Sequence, residues 1–146
     1  MTRAPNQFAV SGDRRGATAV ELAIVAPVVM LLLMAIVDLG LAVYSHICLA
    51  EAARAGARYA AVHGAGAASP VGPTANSAKV EEVVRSYAAG IVPSQLTVKS
   101  TWVQGNNSAG SRVCVSTSYK YKLLTAFILG GGTLDLCASQ SMNIIN

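Results

Sequence analysis

The chain has 146 residues, with eleven Lys or Arg against seven Asp or Glu, and is 53% hydrophobic but only 5% aromatic and 12% charged. Ordinary soluble domains carry about 25% charged residues, so the composition excludes a conventional globular surface throughout and points to one apolar segment plus a small polar-uncharged domain. The net charge of +4 is no nucleic-acid footprint: Arg3, Arg14 and Arg15 against Asp13 supply half of it before residue 17, and no Lys/Arg cluster with interleaved aromatics follows.

Residues 1–13 are polar, carry Pro5 and Gly12, and read as a leader. Arg14-Arg15-Gly16 then runs into Ala17-Thr18-Ala19-Val20-Glu21 and an uncharged stretch from Leu22 to Val37. From residue 17 to 37 a helix rising about 1.5 Å per residue spans roughly 31 Å, one hydrocarbon core. No second run reaches that length, since Leu123 to Leu129 is short and ends at Gly130-Gly131-Gly132. The sequence therefore predicts a single-pass protein lying in the lipid bilayer. Arg14 and Arg15 keep its N-terminus cytoplasmic by the positive-inside rule. Glu21 is the costly residue: an acid at a membrane helix centre is about 2.5–3.5 kcal/mol uphill, less near the end. A secretory signal cut after Ala50-Glu51-Ala52 would lie too far past the apolar run, and Cys48 is too far along for a lipoprotein.

One helix is predicted from Ala17 to about Val62, with Pro27 as its only breaker. Asp38 stands near the outer end of the span, where it either marks the helix's exit from lipid or pairs with a basic residue of a partner helix. Beyond it, Ala52, Gly56 and Ala60 share one face at four-residue spacing, a seam on which identical or related helices can approach closely. Arg54 and Arg58 share a neighbouring face, as solvated residues of a stalk or as partner contacts.

Residues 63–74 are Gly, Ala, Ser and Pro with one His, a flexible connection. A second helix is predicted over about Asn76–Ala89, with Ala78, Val80, Val83, Val84 and Tyr87 on its apolar side and Gly90 and Pro93 beyond its end. Three strands follow from alternation: Gln95–Val103, Arg112–Lys122 and Leu134–Ile144, the first two joined by the turn cluster of residues 105–110. The expected fold is α+β: a long transmembrane and stalk helix, a second short helix and a small antiparallel three-stranded sheet.

Cys114 and Cys137 fall on the polar faces of neighbouring predicted strands. Directly opposite each other they would be in disulfide range, and closing that loop would contribute about 3 kcal/mol on the chain-entropy model. Cys48 reads as a buried small hydrophobe. His46 and Cys48 are two apart and point to different helix faces, so no metal set forms. His46 and His63 have no nucleophile in a recognisable elbow, Glu81-Glu82 reads as a solvated pair, and the three glycines lack the phosphate-loop pattern. No cofactor and no enzymatic activity are expected.

Gly16 followed by four residues and Glu21, behind basic residues and ahead of an apolar helix, resembles the prepilin-peptidase site of type IV pilin-like proteins. The wider stretch narrows this: Arg15-Gly16-Ala17-Thr18-Ala19-Val20-Glu21-Leu22, Ala26-Pro27, Val37-Asp38-Leu39-Gly40 and Ala52-Ala53-Arg54-Ala55-Gly56-Ala57-Arg58 are similar to the TadE-like family, minor pseudopilins of the tight-adherence (Flp) pilus machinery. Leu22 stands where Flp-type pilins often carry an aromatic, and Ala55 where the family often has an acid, which leaves a TadE-like or TadF-like subtype open.

The resemblance implies a pilin-like fold and a cut between Gly16 and Ala17. It implies a register role for Glu21 against the new N-terminus of a neighbouring subunit. Its partners would be the prepilin peptidase, other pseudopilins and the inner-membrane pilus assembly platform. The implied division is a cytoplasmic leader (1–16), a transmembrane helix and stalk (17–62) and a periplasmic module (63–146). The residues alone also fit an uncleaved single-pass envelope protein with a small extracytoplasmic binding module.

Overall fold

A computed structural model of the chain describes residues 13–74, 77–126 and 130–146. The leader up to residue 12 lies outside the described residues, as does the expected start of the second helix at Asn76. The order is helix α1 (Asp13–Val62), helix α2 (Ala78–Tyr87), then strands β1 (Leu96–Trp102), β2 (Arg112–Lys122) and β3 (Thr133–Asn143). The α+β architecture expected from the sequence is the one observed.

Helix α1 runs unbroken through Pro27. Among the described residues it alone is long and apolar enough to cross a membrane, and none of them covers its most apolar window. Its outer half behaves differently. Asp38, Ala42, Ser45, Leu49, Ala52, Gly56 and Ala60 are all buried, recurring at steps of four or three. That spacing keeps one narrow stripe of a helix on one side, and here the stripe lies against the sheet and α2.

The sheet is antiparallel throughout, in the order β1-β2-β3. Strict alternation gives β2 two unlike faces: Val113, Val115, Thr117, Tyr119 and Tyr121 are buried, while Cys114, Ser116 and Ser118 are half-buried on the other side. Leu96, Ser100 and Trp102 of β1 and Leu136 of β3 complete the inner face.

The buried hydroxyls are satisfied. Thr117 Oγ1 lies 3.3 Å from the carbonyl oxygens of Leu49 and Ala138, and Ser100 Oγ accepts from the Ser77 backbone N–H at the start of α2. Among the described residues, the Trp102 indole N–H is the one buried side-chain donor without a partner.

Helix α2 departs in detail from the expected apolar face. Val80 and Val84 are buried, but Ala78 and Tyr87 are exposed. A ten-residue helix resting on a seam of Ala and Gly touches it along one i, i+4 row. Arg85 fastens its C-terminal end, pairing with Glu81 and donating to the carbonyls of Pro93 and Leu96. At the far end of α1, Ile145 N–H donates to the Ala61 carbonyl, which closes the C-terminal tail onto the helix.

Candidate functional site

The residues singled out in the sequence fall into three places along α1. The first is the N-terminal turn region. Gly16, Ala17 and Glu21 are helical and exposed, and a side-chain carbon built on Gly16 would meet nothing within 4 Å. Glu21 makes no ion pair among the described residues. It lies on an uncovered helix flanked by exposed Leu22, Ile24 and Val25. A carboxylate there is open to a partner outside the chain.

The second place is Asp38. The structure corrects the expected pairing with a cation of a partner helix, because the carboxylate's acceptors are taken up within its own chain; its place at the outer end of the uncharged run stands. Asp38 is 3% exposed and bound within its own chain. One carboxylate oxygen accepts from the Leu124 N–H at 2.8 Å and faces the Tyr121 hydroxyl at 3.5 Å. The other accepts from the Thr125 N–H at 2.8 Å and the Thr125 hydroxyl at 2.7 Å. An ionised carboxylate is acceptor-only with room for about four donors, and charge-assisted bonds are the short, strong ones. Burial, and after it the negative charge of Asp38, holds the Tyr121 hydroxyl above its ordinary pKa. Asp38 thus clamps the β2–β3 loop onto α1 at the end of the apolar run.

The third place is the seam. Gly56, at the middle of the seam, receives α2 of the same chain rather than an identical or related helix, and Ala52 and Ala60 are buried within that chain's own fold. A side-chain carbon on Gly56 would stand 2.4 Å from Val84 Cγ2, 3.4 Å from Val115 Cγ1 and 3.5 Å from Val80 Cγ1. The neighbouring face stays open. Arg54 and Arg58 are exposed there and line a shallow groove of about 480 Å³ with Tyr59, His63, Val83 and Tyr87. Tyr59 and His63 stack with ring centroids 4.1 Å apart. Arg54 pairs with Glu51 at 2.7 Å, with both side chains more than half exposed. Such an exposed pair contributes little, so the arginines are available to a partner.

The cysteines are free, which corrects the expected Cys114–Cys137 bond. Both do lie on the outer face. But Cys114 stands opposite Ser141, and Cys137 opposite Ser118. Four residues of offset is about 13 Å along a strand, well beyond disulfide reach. Cys114 Sγ instead lies 3.3 Å from Ser139 Oγ. Among the described residues no cluster of His, Cys, Asp and Glu has metal-holding geometry.

Sequence reasoning missed Leu124, Thr125 and Tyr121. The available signal was a single threonine inside the short apolar run after β2, with an acid at the helix exit still lacking a partner. Nothing local connects residues more than eighty positions apart.

The family model described as TadE-like protein matches residues 16–58. That stretch takes in Gly16, Glu21, Asp38, Gly56 and Arg58 and stops before α2 and the sheet. No curated protein and no solved structure matches the chain. The match is consistent with a TadE-like protein of the Tad pilus system.

Proposed function

We propose that this chain, TadE-like over residues 16–58, is a minor pseudopilin required for assembly of Flp/Tad adhesive pili. In this reading prepilin peptidase hydrolyses the Gly16–Ala17 bond and the inner membrane holds residues 17–37. The module from residue 63 onward then faces the periplasm, where other pseudopilins and the pilus assembly platform meet it. The protein acts by binding and packing, without catalysis of its own.

The observation that carries the proposal is the placement of Gly16 and Glu21 on an exposed helix that no other described residue covers. Hydrolysis frees an α-amino group at Ala17, whose ordinary pKa of about 7.7–8.0 leaves it largely an ammonium at neutral pH. Glu21 becomes the fifth residue of the mature chain. In a low-dielectric assembly an unpaired carboxylate is strongly unfavourable, and one paired with a neighbour's ammonium is tolerated. Pairing therefore selects the axial register between subunits. The Asp38 clamp supports the same reading, because it fixes the periplasmic module to the helix on which register is set.

Intact-mass analysis in a host with the peptidase should find a chain beginning at Ala17. A chain still beginning at Met1 would overturn the proposal and leave the uncleaved envelope-protein reading. A bulky or charged replacement such as Gly16→Arg should block the cut. Glu21→Ala should insert into the membrane normally yet impair piliation; normal piliation would remove the register role.

A further inference from the structure

Asp38 is the first residue past the uncharged run, so its level along α1 is where the helix leaves the hydrocarbon. This inference rests on that single-span reading. The bonds to Leu124 and Thr125 set the β2–β3 loop at the same level. Thr125 is turned inward and buried, with its N–H and hydroxyl both given to Asp38. Leu124 is turned outward and 56% exposed. Leu123 is half-buried beneath it, and Lys122 is exposed beside it. Leu134, across the ladder from Tyr121, adds a second exposed leucine at this end of the sheet. The described residues on the two sides of the loop are tied by bonds from Leu123 N–H to the Gly132 carbonyl and from Gly131 N–H to the Ala126 carbonyl.

A single exposed leucine is ordinary on any protein. Its level is what matters here. We propose that residues 122–126, which lead out of β2, form a second membrane contact, in which Leu124 enters the boundary between headgroups and acyl chains while Lys122 meets the phosphates of anionic lipids. Two features select the lipid surface as the occupant. The patch is continuous with the span through Asp38, so the bilayer that holds α1 already lies against it. Its charge also fits: Asp135 stands opposite Lys120 in the ladder, whereas Lys122 stands opposite Thr133 and has no acid across from it. A lysine stem can lie along apolar surface while its ammonium stays at the headgroups. The contact would fix the tilt of the whole sheet relative to the membrane.

The test uses the full chain reconstituted in phosphatidylethanolamine/phosphatidylglycerol vesicles whose acyl chains are brominated or not. Leu124→Trp reports on the loop. Val103→Trp, at an exposed position just past the distal end of β1, is the control, and buried Trp102 is a background common to both. The expected result is blue-shifted emission for Leu124→Trp with loss of more than half its added intensity in brominated lipid, and neither change for Val103→Trp. Adding Lys122→Glu, or adding Asp38→Ala in a sample with unchanged circular dichroism, should reduce the quenching. Emission from Leu124→Trp matching that of Val103→Trp, in protein that resists carbonate extraction, would overturn the loop contact while leaving the span intact. Carbonate-extractable protein would overturn the span, and the loop contact with it. Undiminished quenching in the Asp38→Ala background would remove the role given to Asp38.

Discussion

Gly56→Ala tests the packing of the head module with the smallest available change. The added carbon would lie 2.4 Å from Val84 Cγ2, where carbon atoms prefer about 3.5–4.0 Å. Relief must come from a rotation of Val84 or a separation of the helices. Val84, Val80 and Val115 are all fully buried, and helical valine has one strongly preferred rotamer. Overpacking of this kind typically costs about 1–3 kcal/mol. Against it stands the helix propensity of Ala over Gly, about 1 kcal/mol. The net expectation is destabilisation of up to about 2 kcal/mol, or a fall of up to roughly 15 °C in Tm for a module of this size.

Gly40→Ala is the control, because it lies in the same helix with nothing within 4 Å of its added carbon and gains only the propensity term. Thermal unfolding of the full chain in detergent, followed by near-ultraviolet circular dichroism, separates the two. Gly56→Ala unfolding at or above the Gly40→Ala temperature would refute the close α1–α2 approach. Val84→Ala should then be less harmful in the Gly56→Ala background than alone, since each change fills or empties the same space.

Gly72→Ala combines two penalties, a backbone φ of +96° and a built carbon 2.4 Å from the Trp102 ring; it should destabilise by about 2–4 kcal/mol, read from Trp102 fluorescence in denaturant. Alkylation followed by mass spectrometry without reductant should modify Cys114 and Cys137 as separate thiols, with Cys137 fastest because it is the exposed one; an unreactive pair lighter by two hydrogens would contradict the observed register. Asp38→Ala should leave the chain in the membrane fraction while making cleavage after Lys122 by trypsin severalfold faster, because the loop loses the carboxylate that receives its N–H groups. Cleavage at the wild-type rate would show that the clamp does not hold the loop.

The elements were legible in the sequence because each has its own period. β2 spans Arg112–Lys122 as its alternation requires, and α1 ends at Val62 where Gly and Ser begin. What lay beyond reach was pairing across distance. The four-residue spacing of Ala52, Gly56 and Ala60 says how closely something approaches, not what approaches, and α2 of the same chain meets it at Gly56. Asp38 read as a marker of the helix's exit from lipid or as a partner for a cation of another helix. Its actual partners are peptide N–H groups, a threonine and a tyrosine, and none of them announces itself by charge.

The cysteine register shows where a closer physical reading would have succeeded. Alternation alone puts Cys114 and Cys137 on one face, and a slip of four residues leaves that face unchanged. Setting the two cysteines opposite each other would, however, pair Gly130, Gly131 and Gly132 with Tyr121, Lys120 and Tyr119. Glycine weakens a strand interior and has no side chain to pack. Gly130 and Gly131 in fact take positive φ in the turn, a conformation a ladder does not use. Once the glycines are left to the turn, β3 can start no earlier than Thr133, opposite Lys122. Tyr121 then stays in the ladder, buried beside Asp38, and the loop that follows it is placed where the carboxylate can hold it. The register that separates the cysteines is thus the one that permits the clamp.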